Sequence, residues 1–289
     1  DSTVKNVGGG QRWTRMLASW LRKREHEAAV IDNPSDLSLL AGPVDEWIDM
    51  EALGDVSLYP KGVKRRLWMH IPTSLQHDDK IRVTTSVLAS SRWSAEQSQG
   101  VWGIPATPLL LFTDWKGGEP RWRKGILFFG RLTRPKGVMQ AIHIYRDSGL
   151  TCGLTIAGAT WSTGEQNLLD SRAAAKAAGG HLIEDPDEDT RKDLYRRHRI
   201  FWNLSGIGGG PPEAFGLAAA DAYVDGLHVV SIALGGIREW LPMRFTAVDA
   251  AGIVKKTKEI LQGTVEPLTA EELHVVSAEA FTERVKAAG

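Results

Sequence analysis

Residues 200–240 read IFWNLSGIGGGPPEAFGLAAADAYVDGLHVVSIALGGIREW, and the alternation of patterns within them decides the fold. The apolar, aromatic run 200–204 is bounded by turn formers and is too short for a helix, which predicts a buried strand. A glycine loop, 206–210, follows and is closed by Pro211-Pro212. From Glu213 the pattern turns helical, with Phe215, Leu217, Ala218, Ala222 and Tyr223 as an apolar stripe and Gly226 as its end. A second strand is expected over 228–233, then Gly235-Gly236 and a fresh helix start.

Strand, glycine loop, helix, repeated twice, is the grammar of an α/β fold with a parallel sheet, whose ligands sit beyond the carboxyl ends of the strands. Both glycine loops fall on that side. Bare backbone and helix N-termini there offer N–H groups and partial positive charge, which predicts an anionic ligand. If Glu213 and Asp221 share one helix, they stand about 12 Å apart along its axis and roughly 80° apart around it. Each could then hold a hydroxylated group, with a diphosphate between them.

A second junction of the same kind lies upstream. A strand over 125–129 runs into Gly130-Arg131-Leu132-Thr133-Arg134-Pro135-Lys136-Gly137 and a helix over 138–146. Arg131 supplies a planar fork for phosphate oxygens and Lys136 a flexible point charge.

These two segments resemble the signatures of the retaining GT-B glycosyltransferases of glycosyltransferase family 4. The first matches a Gly-Arg-Leu followed by Lys-Gly at a helix head. The second matches Pro212-Glu213-Ala214-Phe215-Gly216-Leu217 through a second acid, Asp221, separated from Glu213 by seven residues, then Gly226-Leu227-His228-Val229-Val230 and Gly235-Gly236-x-x-Glu239. Asp221 stands where the family has a second glutamate, one methylene shorter.

The resemblance implies two Rossmann-like domains facing across a cleft, with a nucleotide-diphosphate sugar, such as a UDP- or GDP-sugar, bound mainly by the second. Gly130, Arg131 and Lys136, with the backbone N–H groups around Phe215, Gly216 and Leu217, would neutralise the departing diphosphate without a metal or another cofactor. Glu213 would hold hydroxyls of the transferred sugar and Asp221 the ribose diol. Gly9 and Gly10 would approach the diphosphate or the acceptor, and His70 would lie near the donor sugar. The anomeric configuration would be retained, and the acceptor would be a glycan, a lipid or a small molecule.

The chain has 289 residues, 42% of them hydrophobic and 24% charged, which suits a soluble protein of one large or two ordinary domains. Its 35 basic and 35 acidic side chains cancel, so no basic footprint points to nucleic acid. Cys152 is the single cysteine and is read as a buried thiol in a reducing compartment. No apolar run approaches the roughly 20 residues that cross a bilayer, and no signal peptide is evident. The reading is cytoplasmic; the basic, aromatic stretch 61–68 (KGVKRRLW) is read as a solvated charged face, with peripheral membrane contact as the alternative.

A helix is expected over 12–27, with Trp13, Met16, Leu17, Trp20 and Leu21 on one face, followed by a strand over 28–31. In the resembled family a first strand precedes the Gly8-Gly9-Gly10 loop. Here only the polar residues 1–6 do, which reads as a first domain reduced by, or truncated of, that strand. Strands are expected over 66–71, with His70 at the end, over 81–88 and over 108–112. Residues 114–124 (DWKGGEPRWRK) form the linker between domains 1–122 and 123–289. The second domain continues with a strand over 154–157, a helix over 166–178, a strand over 180–183 and a helix over 190–198. Further helices are expected over 252–261 and 270–286.

The acids of 184–189 sit where a helix start favours negative charge, so Asp185-x-Asp187 is not read as a metal-diphosphate motif. Proline at 211 removes the last glycine of a dinucleotide fingerprint, and no P-loop, zinc spacing or nucleophile elbow is present. Two alternatives share the architecture: a sugar-nucleotide epimerase or phosphorylase, and a non-catalytic nucleotide-sugar-binding protein.

Overall fold

The computed structural model describes residues 9–30, 45–50, 63–69, 86–103, 105–117, 123–161, 163–266 and 268–288. His70, Ile31 and residues 81–85 of an expected strand lie outside them. The chain divides into two compact units, one of Gly8–Leu111 with Ala278–Gly289 and one built on Phe112–Ser277.

In the first unit, helix α1 (Gly9–Arg22) buries Trp13, Met16, Leu17 and Trp20 at helical spacing. It begins at Gly9, so Gly9 and Gly10 form its first turn and not a loop ahead of it. Residues 28–30 carry no strand, which corrects the expectation there. Four parallel strands, β1 (Glu46–Met50), β2 (Lys64–Met69), β3 (Ser86–Ala89) and β4 (Thr107–Pro108), lie side by side in that order. Helix α2 (Arg92–Trp102) starts where the Ser91 hydroxyl accepts from the Ser94 N–H at 3.1 Å. The strand expected over 108–112 is cut to Thr107–Pro108, although Leu109 to Phe112 are buried.

In the described part of 61–68 the aromatic residue faces inward. Trp68 is 2% exposed and tilts against Trp13 at 5.2 Å, while Arg66 and Lys64 face Glu46 at 2.5 and 3.7 Å. Among the described residues no helix is long and apolar enough to cross a membrane.

The terminal helix, Ala278–Ala288, belongs to this unit. Phe281 meets Trp13 and Trp20 edge-on, with centroids 5.6 and 5.1 Å away, and Arg284 reaches the Leu110 carbonyl at 3.2 Å.

The second unit holds a six-stranded parallel sheet whose strands lie in the order Thr246–Ala247, His228–Ile232, Ile200–Asn203, Ile126–Phe129, Leu154–Gly158, His181–Glu184. Its elements run β5 (Ile126–Phe129), α3 (Val138–Ser148), β6 (Leu154–Gly158), α4 (Glu165–Ala177), β7 (His181–Glu184), α5 (Glu188–Arg197), β8 (Ile200–Asn203), α6 (Leu217–Val224), β9 (His228–Ile232), β10 (Thr246–Ala247), α7 (Ala250–Leu261) and α8 (Ala270–His274). Strands covered on both faces read as continuous apolar runs, which is why β5, β6, β8 and β9 fall where the sequence puts them. Trp202 shows how fully: its ring is buried, and its Nε1 finds the Thr257 hydroxyl at 2.9 Å.

The second unit corrects four expectations. The helix after the glycine loop starts at Leu217, not Glu213, because Gly216 precedes it in the left-handed region at φ 84°. The expected helix 270–286 is two helices, broken between His274 and Ala278. Cys152 is half-buried, and that burial pushes its thiol up from the usual range. The unit also begins at Phe112, ahead of the expected linker, because Thr113 and Trp115 are bonded into it through Asp221 and Asp225.

Phe281→Ala should leave a cavity between Trp13 and Trp20 and cost about 3–5 kcal/mol in denaturant unfolding of the first unit. A loss below about 1 kcal/mol would show that the terminal helix does not close this core.

Candidate functional site

In the sheet of the second unit, β5 has β6 on one side and β8 on the other, so the strand order reverses between β5 and β8. The chains leaving these two strands diverge and open a crevice at their carboxyl ends. The loop 130–137 leaves β5 there, and the loop 204–216 leaves β8.

The two loops interlock through backbone. Gly137, at φ 85°, lies so close to Leu204 that a Cβ would stand 2.7 Å from its carbonyl oxygen. Gly235, at φ 74°, would place a Cβ 2.3 Å from the Glu213 carbonyl oxygen, which also accepts from the Gly236 N–H at 2.8 Å. Any other residue at Gly137 or Gly235 would push the loops apart.

Glu213 lies between them, with its side chain 18% exposed. Lys136 Nζ donates to its Oε1 at 2.5 Å, and the Ser205 hydroxyl donates to the same oxygen at 2.8 Å. Burial works against the charged carboxylate, but the charge and hydrogen bond of Lys136, the Ser205 bond and the charge of Arg131 outweigh it and hold Glu213 below the usual carboxylate range. Both bonds land on Oε1; among the described residues none reaches Oε2. Gly130, Arg131, Lys136 and Glu213 thus meet at one crevice, with Ser205 as a partner that the sequence reading missed. Its place directly after an apolar strand was the available signal.

Phe215 is buried against Trp240 at 5.8 Å, and its carbonyl accepts from the Trp240 Nε1 at 2.9 Å. Gly216 and Leu217 then turn into α6, whose first N–H groups have no partner within the helix.

Asp221 has a different place. It is 0% exposed, with the Thr113 hydroxyl donating to Oδ1 at 2.5 Å and Arg191 Nη1 at 4.0 Å from Oδ2. One turn on, Asp225 accepts from the Trp115 Nε1 at 3.1 Å and faces Arg123 at 3.4 Å. Asp221 on α6 and Asp225 at its C-terminal cap, one turn later, grip the segment entering the unit, so Asp221 offers no surface for a ribose diol. Gly9 and Gly10 belong to the other unit, and His70 lies outside the described residues.

The acidic loop is also accounted for by local bonds. Asp185 accepts from the Thr160 N–H at 2.9 Å and the Thr160 hydroxyl at 2.5 Å, while Asp187 caps α5 through the Thr190 N–H at 2.8 Å. A further residue came unforeseen: Trp161, after β6, is 60% exposed and lies under the Arg131 guanidinium at 5.4 Å.

Thr113→Val should leave the buried Asp221 carboxylate short of a donor and cost about 1–3 kcal/mol of stability, read by thermal or denaturant unfolding. Lys136→Met removes the main support of the Glu213 charge and should raise the pH at which Glu213 takes up its proton, followed by carboxyl-carbon NMR. Because the folded carboxyl lies below its unfolded value, its contribution to stability is present above the ordinary carboxylate range and lost as pH falls through the folded value. The wild type should therefore lose more stability on acidification than Lys136→Met.

No protein-family model and no curated protein sequence matches the chain. Solved structures do. It is similar to AviGT4, a glycosyltransferase involved in avilamycin A biosynthesis, with TM-score 0.73 and 18% identity over 98% of this chain and 90% of that one. It is similar to HepE of Anabaena, solved in complex with UDP-glucose, with TM-score 0.72 and 15% identity over 98% and 96%. A glycosyltransferase from Rickettsia africae gives TM-score 0.57 and 13% identity over 99% and 79%. The chain has the α/β GT-B fold of these proteins, built from two Rossmann-like units.

Proposed function

We propose that the protein is a glycosyltransferase that moves a sugar from a nucleotide-diphosphate sugar to a carbohydrate, lipid or small-molecule acceptor. The observation that carries this reading is the meeting of Arg131, Lys136, Ser205 and Glu213 at the carboxyl ends of β5 and β8. A diphosphate entering the crevice competes with Glu213 for Lys136. Its oxygens meet the Lys136 ammonium, the Arg131 guanidinium and the N–H groups at the start of α6, which stabilise the negative charge that grows as the sugar departs.

Glu213, released from Lys136, keeps the Ser205 hydroxyl on Oε1 and turns its carboxylate to the sugar hydroxyls. No step in this scheme needs a metal, and configuration is retained by attack from the face the diphosphate leaves. The UDP-glucose complex of HepE supports a uridine donor. Asp221, buried on Thr113, takes no part in donor contact.

Calorimetric titration with UDP, GDP and their sugar conjugates should show one diphosphate nucleotide binding to the wild type. Arg131→Ala with Lys136→Ala should weaken it by at least about a hundredfold, taking charge-assisted bonds at ~1.5–3 kcal/mol each. Wild-type binding that the double variant retains would overturn the site. Stereochemical analysis of the product, with and without acceptor, separates transfer from epimerisation and phosphorolysis.

A further inference from the structure

We propose that the Trp161 indole is the platform on which the nucleobase of the donor stacks; this rests on the glycosyltransferase reading and names the base-binding part of the same site. Trp161 is 60% exposed at the carboxyl end of β6, the strand next to β5 and on the same side of the sheet as Lys136 and Glu213. A single apolar side chain in solvent is ordinary on a protein surface. Here the backbone around the ring is held on a frame that an incidental surface residue does not need.

The frame ties together three loops at the carboxyl edge. The Leu132 N–H donates to the Ala159 carbonyl at 2.9 Å, and the Thr163 hydroxyl donates to the Leu132 carbonyl at 2.9 Å. The Thr163 N–H closes a turn onto the Thr160 carbonyl at 2.8 Å, with Trp161 inside it. Both carboxylate oxygens of Asp185, beyond β7, are taken by Thr160. Asp185 holds this grip from φ 45°, a backbone conformation that a side-chain-bearing residue adopts at a cost unless its surroundings enforce it. The backbone that carries the indole is thus held in place before any ligand arrives, which lowers the ordering cost of binding.

Arg131 adds the direction. Its guanidinium lies over the Trp161 ring at 5.4 Å and its charge bears on Glu213, so it spans the interval between the indole and the Lys136–Glu213 pair. A ligand that places anionic oxygens at Arg131 and Lys136 and carries a flat aromatic group on the far side of Arg131 fits this order of groups. A nucleoside diphosphate has it. An aromatic face accepts purines and pyrimidines alike, so Trp161 contributes affinity without choosing the base.

The test compares UDP, GDP and inorganic pyrophosphate on the wild type, Trp161→Leu and Trp161→Phe by calorimetry. The side chain is exposed, so both variants should keep the wild-type unfolding transition. Trp161→Leu should weaken UDP and GDP by on the order of tenfold, as expected for loss of one stacking contact, while pyrophosphate binds within about twofold of the wild type. Trp161→Phe should recover part of the loss. Unchanged nucleotide affinity in Trp161→Leu would overturn the proposal. So would an equal loss for pyrophosphate, which would place the effect on Arg131. If the wild type binds pyrophosphate but neither nucleotide better, the base platform falls and the phosphate site stands; if it binds none of the three, the glycosyltransferase reading falls with it.

Discussion

A carboxylate drawn largely out of water must be met by positive charge and donors, and at Glu213 the charge comes from Lys136, far away in sequence, with Ser205 of its own loop as the second donor. Lys136 comes from 77 residues earlier, and the two meet only if β5 and β8 are neighbours in the sheet. The register that aligns Ile126 with Ile200 fixes where the two loops emerge. The close approach of Gly137 to Leu204 and of Gly235 to Glu213 then removes the slack. One ion pair thus depends on a parallel ladder, on two backbone contacts that exclude a Cβ, and on the reversal of strand order that opens the crevice.

Asp221 shows how far a likeness of pattern carries. It stands at the second acid of a signature, yet its carboxylate is fully buried and sealed against Thr113. With Asp225 a turn later, it fastens the entering segment to α6. A fold shared with glycosyltransferases fixes the crevice; the role of each residue within it is set by local contacts.

The sheet of the second unit was legible because strands buried on both faces leave apolar runs, and glycine or proline punctuates their ends. The Lys136 and Glu213 loops were legible for the same reason, since they begin where strands end. The start of α6 was misread because Phe215 and Leu217 extend the apolar stripe across Gly216, and periodicity does not report a left-handed φ. The orientation of Asp221 was hidden because spacing along a helix gives a face and not the partner that covers it. Trp161 was invisible for a related reason: an aromatic residue in a loop reads the same whether it is buried or exposed. In the first unit, short strands with mixed patterns gave weak signals, and Trp68 in a basic stretch looked like a surface residue although it fills the core.

The terminal helix gives the first unit an order of assembly. Phe281 completes a core whose other walls, Trp13, Trp20 and Trp68, come from early in the chain, and the stretch Phe112–Ser277 on which the second unit is built is encoded in between. During synthesis the second unit has all of its sequence before the first unit has its last wall. The first unit must therefore wait with three tryptophans incompletely covered, and in that interval its protection from aggregation depends on how quickly the second unit is made.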